Sequence, residues 1–134
     1  MEKKNIDWSS IGFAYMPTDY RYVSNFKDGK WDEGTLSTDP NIVLNECAGV
    51  LQYSQSVFEG LKAYTTEDGH IVTFRPDLNA ERIAASAARL EIPVFPKERF
   101  IDAVEQVVKA NAAWVPPYGS GATLYLRPYM FGSN

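Results

Sequence analysis

Apolar and polar positions along the chain fall into two helical repeats and several two-residue alternations. From residue 76 onward, Ala80, Ile83, Ala84, Ala87 and Leu90 recur at helical spacing, which predicts a helix opened by Pro76 with Asp77 as its N-cap and ended at Ile92-Pro93. Arg82, Ser86 and Arg89 fall on another face of that helix. A second helix is predicted from near Pro96 to about Asn111, with Phe100, Val104, Val107 and Val108 as its apolar stripe. Strict alternation over residues 123–127 puts Leu124 and Leu126 on one face of a strand and Thr123, Tyr125 and Arg127 on the other. Pro128 restricts how far that strand can pair.

Two Asp-Gly pairs, Asp28-Gly29 and Asp68-Gly69, tolerate the positive φ that a tight primed turn requires. They predict one hairpin joining residues 20–26 to 30–36 and another joining residues 61–65 to 71–74. Residues 1–12 read as a polar leading segment, and residues 13–26 as an aromatic-rich extended pathway broken at Pro17. Residues 34–40 are expected as loop, 41–45 as a short strand or extended link, and 48–52 as a single helical turn. The run Trp114-Val115-Pro116-Pro117-Tyr118-Gly119 is a rigid connector, since paired prolines continue neither helix nor central strand. Strands, then two helices, then a strand predict an α+β fold. The expected form is one domain over residues 1–134, a largely antiparallel sheet with two helices on one face.

Composition narrows the classes. With 134 residues, 45% apolar and 22% charged, and a net charge of −4, the chain has the make-up of a globular domain with one core. Neither Lys nor Arg gathers into a stripe that would suggest nucleic acid. Cys47 is the only cysteine, so no internal disulfide forms and zinc sites built on several thiolates are excluded; it is expected as a small buried residue. The first residues lack the apolar run of a signal peptide, and no apolar stretch approaches a membrane span, which leads us to expect a cytoplasmic, soluble protein. His70, the only histidine, is expected as a solvated turn residue.

Three groups could carry chemistry. Tyr125 and Arg127 share a strand face, where a phenol and a guanidinium can grip a carboxylate; the alternative is a surface pair with the arginine stacked on the tyrosine. Arg82 lies in the second turn of its helix, where a phosphate would also feel the helix dipole, although an exposed charge is the simpler reading. In the stretch QYSQSVFEGLKAY (52–64), Tyr53 and Phe58 either line an apolar pocket or anchor a loop, and Glu59 either holds that loop by hydrogen bonds or acts as an acid or base. A phosphate-loop glycine pattern, paired carboxylates, a Ser-His-Asp set and a metal cluster are all missing.

Taken together, YSQSVFEGLKAY (53–64), FRPDLNAERI (74–83), FPKERFIDAVEQVVKAN (95–111) and PPYGSGATLYLRPYMFGSN (116–134) resemble branched-chain amino acid aminotransferases. These are pyridoxal phosphate enzymes of the fold-type IV group. The likeness extends upstream through Phe13-Ala14-Tyr15, Thr18-Asp19-Tyr20 and Gly29-Lys30-Trp31. It implies that the chain is the N-terminal small domain, cut before its last strand and the interdomain linker, with the large cofactor domain absent. The lysine that carries the cofactor as a Schiff base is expected beyond Asn134, so no catalytic residue is assigned here and the chain alone is expected to be inactive. By matching position, Arg82 is similar to the arginine that binds the cofactor phosphate. Phe13, Tyr53 and Phe58 are similar to the aromatics lining the aliphatic pocket, and Tyr125 and Arg127 to the pair that recognises substrate carboxylates. The sequence departs from the pattern at Gln52, where many members have histidine, and at Ala14, where glycine is common.

The resemblance implies transfer of the amino group of leucine, isoleucine or valine to 2-oxoglutarate, by a homodimeric parent protein with amino acids and 2-oxo acids as partners. Two other readings stand beside it: a fold-type IV transaminase of the D-amino acid group, and a binding or interaction module without chemistry.

Overall fold

A computed structural model describes residues 2–133. Met1 and Asn134 lie outside the described residues, as do the expectations placed on the chain's end and beyond it. After a short 3-10 turn at Trp8–Ser10, the first strands are β1 (Arg21–Val23), β2 (Phe26–Lys27), β3 (Lys30–Trp31) and β4 (Thr35–Ser37). Then come α1 (Gly49–Tyr53), β5 (Ser56–Phe58), β6 (Leu61–Thr65) and β7 (Ile71–Thr73). The long helices α2 (Pro76–Arg89) and α3 (Lys97–Ala110) follow, then a 3-10 turn at Ala112–Trp114, β8 (Leu124–Leu126) and β9 (Tyr129–Phe131).

Among the described residues the fold is α+β and every strand pair is antiparallel, as expected, but the strands form four small sheets: β1-β4, β2-β3, β5-β9 and β7-β6-β8. The first hairpin forms around Asp28-Gly29 and is interrupted midway. Phe26 faces Trp31, whereas Val23 faces Thr35, so two residues on one arm oppose three on the other. Gly34 supplies the extra residue at φ 77°, and Asp32 binds both its own turn at Gly34 N–H (2.9 Å) and Ser24 Oγ (2.9 Å). Residues 34–40, expected as loop, therefore contain β4; the bulge hides its pairing from the two-residue pattern.

Buried positions follow the predicted faces. Leu61, Ala63 and Leu126 point into a core with Ala80, Ile83 and Ala87 of α2 and Phe100, Val104 and Val108 of α3. Lys62, Tyr64 and Tyr125 stay on the opposite, exposed face. Full burial of an aliphatic side chain such as Ile83, 2% exposed, stabilises by roughly 1.5–3 kcal/mol.

Two helix ends depart from expectation. Asp77 is not the N-cap of α2: Arg75 is, in a left-handed conformation (φ 48°) without a capping side chain, and Asp77 sits in the first turn. There Asp77 accepts from Arg75 Nε (3.0 Å) and Nη2 (2.8 Å), and hydrogen bonding to that guanidinium lowers its pKa to about 2. At the other end Leu90 is 40% exposed and leaves the apolar stripe. The chain closes there through Glu91 at φ 58°, with Glu91 N–H bonded to Ala88 O (3.2 Å) and Ile92 N–H to Ala87 O (2.8 Å). This is a Schellman arrangement with glutamate where glycine is usual, and it drops Ile92, 5% exposed, into the core.

Residues 41–45 carry no regular structure, and residues 48–52 fall almost wholly in α1, as expected. Cys47 is exposed rather than buried, because it lies in the surface turn just ahead of Ala48, whose side chain takes the interior position instead. His70 is the exposed turn residue expected, with its Nδ1 2.8 Å from Asp68 Oδ2. Among the described residues no helix is long and apolar enough to cross a membrane, and no group of residues is arranged to hold a metal ion.

Candidate functional site

The site is built on residues 58–60, the end of β5 and the turn into β6. Alternation along β5 buries Val57 and leaves Phe58 on the outward face. β5 pairs with β9, Phe58 standing opposite Tyr129. β6 pairs with β8, Lys62 standing opposite Tyr125. Glu59 N–H donates to Pro128 O (2.8 Å), so the turn that contains Pro128 accepts a bond at the one residue that has none to give.

On the outward face the Arg127 guanidinium carbon lies 4.4 Å from the centre of the Phe58 ring and 5.1 Å from that of Tyr125. Phe13 meets Tyr125 edge to face at 5.1 Å and 70°. Four of the residues singled out in the sequence, Phe13, Phe58, Tyr125 and Arg127, are thereby brought together from three distant parts of the chain. Arg127 forms no ion pair among the described residues, and its positive charge rests on aromatic faces. Such an arrangement holds a cation ready for an anionic group while offering apolar surface beside it. Tyr53, by contrast, is 85% exposed at the end of α1 and makes no ring contact with the other four.

Gly60 makes the approach possible. A Cβ built there would lie 2.8 Å from Tyr125 Cζ and nearer still to its hydroxyl, so only glycine lets the tyrosine ring settle over the turn. Its φ is not positive, which leaves close approach as the reason for glycine.

The other side of the turn faces α2. Glu59 is 4% exposed and accepts from Arg82 Nε (2.7 Å), Arg82 Nη2 (2.7 Å) and Asn79 Nδ2 (2.9 Å). Burial pushes the Glu59 carboxyl upward, yet the bonds from Arg82 and Asn79, with the charge of Arg82, outweigh it and hold the group below its usual range. The bonds that Arg82 gives to Glu59, followed by the glutamate's charge, raise the Arg82 guanidinium. The Arg82 side chain remains 69% exposed, so its remaining N–H groups face solvent. Sequence reasoning placed Arg82 and Glu59 separately and did not pair them. They are 23 residues apart on different elements, and no spacing rule joins a turn to a helix that follows a whole hairpin. Asn79 and Gly60 were likewise not singled out.

No family model matches the chain. It is 54% identical over 129 residues to a branched-chain-amino-acid aminotransferase of Haemophilus influenzae, covering 96% of this chain and 38% of that protein. It is also 47% identical over 131 residues to a methionine aminotransferase of Arabidopsis thaliana, covering 97% of this chain and 37% of that protein. Among solved structures, the Escherichia coli branched-chain amino acid aminotransferase shares the fold with a TM-score of 0.63 at 21% identity, over 89% of this chain and 34% of that one. The T.th. branched-chain amino acid aminotransferase, complexed with N-(5'-phosphopyridoxyl)-L-glutamate, matches with a TM-score of 0.60 at 29% identity, over 75% of this chain and 32% of that one. The chain thus spans little more than a third of the relatives it matches. In sequence and in fold it is similar to the N-terminal portion of branched-chain amino acid aminotransferases.

Proposed function

We propose that this chain forms the phosphate clamp and one wall of the substrate pocket in a protein that moves the amino group of leucine, isoleucine or valine to 2-oxoglutarate. The observation that carries the reading is the double use of residues 58–60, which support the Phe58–Tyr125–Arg127 cluster on one side and the Glu59–Arg82 pair on the other. Pyridoxal phosphate, when bound, supplies an electron sink for the amino acid's α-carbon. Arg82 fits its phosphate, because the guanidinium is oriented by a buried carboxylate yet largely exposed.

In this proposal Arg127 and the Tyr125 hydroxyl take a substrate carboxylate by charge-assisted hydrogen bonds, while Phe13 and Phe58 lie along the aliphatic side chain. An apolar wall discriminates one methylene by only about 1–3 kcal/mol, so all three branched amino acids are accepted. A guanidinium beside that wall lets the second carboxylate of glutamate find a partner in the same pocket. Cytoplasmic location and homodimeric assembly belong to the same proposal, with cell fractionation and sedimentation as their checks.

The test is Arg127→Ala in the protein expressed from its own reading frame. Loss of a hydrogen bond to a charged group costs about 1.5–3 kcal/mol, so the KM for leucine and for 2-oxoglutarate is expected to rise roughly ten- to hundredfold. Pyridoxal phosphate affinity should hold. Unchanged KM values would remove Arg127 from substrate binding.

A further inference from the structure

We infer that Glu59 is a positioning residue for Arg82: it occupies one edge of the guanidinium and thereby presents the other edge to a phosphate. This rests on the reading of Arg82 given above. Glu59 is 4% exposed and Arg82 69%, so the carboxylate is the fixed point and the arginine the part it aims.

Arginine carries five N–H donors in a planar fork. Nε and Nη2 each give one to Glu59, at 2.7 Å, which occupies the side edge of the group. Both donors of Nη1 and one of Nη2 remain, and these define the end edge, whose spacing matches two oxygens of a phosphate. Asn79 Nδ2 holds Glu59 Oε1 at 2.9 Å and also reaches Gly60 O at 3.3 Å, so the carboxylate cannot turn away. A free arginine side chain would lose its rotamer freedom on each binding event, and Glu59 removes that loss in advance. Because Phe58 and Gly60 flank Glu59, the phosphate clamp and the Tyr125–Arg127 face are referenced to one short turn.

Glu59 also brings a negative charge near the incoming phosphate, and the two effects oppose each other. Two substitutions separate them. Glu59→Gln keeps the shape and removes the charge; Glu59→Asp keeps the charge and withdraws the carboxylate by one methylene. The dissociation constant of pyridoxal phosphate, measured by equilibrium dialysis on the protein expressed from its own reading frame, is expected to rise about ten- to hundredfold in both, the usual effect of removing a group that orients a ligand-binding side chain. Asn79→Ala should weaken binding less, by several-fold, and it decides the matter if the Glu59 variants do not fold. Tighter binding in Glu59→Gln with no change in Glu59→Asp would make Glu59 an opposing charge and overturn the inference. Unchanged affinity in both, with only a lower unfolding midpoint, would make it a structural residue and overturn it equally. Arg82→Ala separates the two levels. Unchanged affinity there refutes the phosphate clamp itself, whereas weakened binding in Arg82→Ala beside intact binding in the Glu59 and Asn79 variants refutes the positioning alone.

Discussion

Gly60→Ala isolates one physical cause, the approach of the Tyr125 ring to the backbone of the turn. Alanine meets no backbone penalty here, since the φ of Gly60 is not positive. Its Cβ would stand 2.8 Å from Tyr125 Cζ and nearer still to the hydroxyl, against about 3.5–4.0 Å for carbon atoms at ease, so the ring must retreat by more than about 1 Å. That retreat breaks the Phe13–Tyr125 edge contact and loosens Arg127 over the Tyr125 ring. The aromatic pair is worth about 0.5–1.5 kcal/mol and the exposed cation–π contact about 0.5–1 kcal/mol. The smaller entropy of the unfolded alanine chain returns about 0.4–1 kcal/mol, which leaves a net destabilisation near 1 kcal/mol. Function should suffer more, because a misplacement of about 1 Å in a binding group can cost on the order of a hundredfold in kcat/KM, or about 2.7 kcal/mol. The assay is a double-mutant cycle with Tyr125→Ala, followed by leucine kinetics and urea unfolding. Once the ring is gone, Gly60→Ala should change little. Equal losses from Gly60→Ala in the presence and absence of the Tyr125 ring would refute the steric cause.

Two further predictions concern other parts of the molecule. Asn111, 3% exposed, accepts from Asp19 N–H (3.0 Å) and Tyr20 N–H (2.9 Å) and donates to Tyr20 O (2.9 Å), tying the segment that leads from Phe13 to α3. Asn111→Ala should cost about 1–3 kcal/mol and speed amide exchange over residues 13–20; unaltered exchange there would show that the segment is held by something else. Asp77 titrates at about 2 when folded against an ordinary 3.8, so its pairing with Arg75 stabilises α2 above pH 3.8 and is lost as the pH falls toward 2. Wild type should accordingly lose its stability advantage over Asp77→Asn in that window, and an advantage that persists at pH 2 would contradict the assignment.

What could be read from the sequence was what local periodicity encodes. The α2 and α3 stripes place Ile83, Ala87, Phe100 and Val104 in the core, and the 123–127 alternation sends Leu126 inward and Tyr125 outward. Asp28-Gly29, both at positive φ, makes the tight turn expected, whereas at Asp68-Gly69 only the glycine has positive φ and the hairpin closes through a longer loop over residues 67–69. Strand β5 escaped because Ser56-Val57-Phe58 is too short to show a period and its partner β9 lies beyond both helices. The N-cap escaped because Arg75 adopts a positive φ without glycine or a capping side chain, leaving Asp77 as the only visible signal. In the site, Arg127, Tyr125, Phe58 and Phe13 were identifiable as candidates but their meeting was not, since it depends on how β8 pairs with β6 and how residues 13–20 fold back. Glu59 was seen as a group with two possible tasks. Its burial against Arg82 and Asn79 favours the holding task.

Glutamate formation from leucine and 2-oxoglutarate, by protein expressed from its own reading frame, with and without added pyridoxal phosphate, is the decisive measurement. Turnover is expected to depend on pyridoxal phosphate, to extend to isoleucine and valine, and to be greatly reduced in Arg82→Ala. Folded protein that binds pyridoxal phosphate yet transfers no amino group from any of the three would contradict the proposed function.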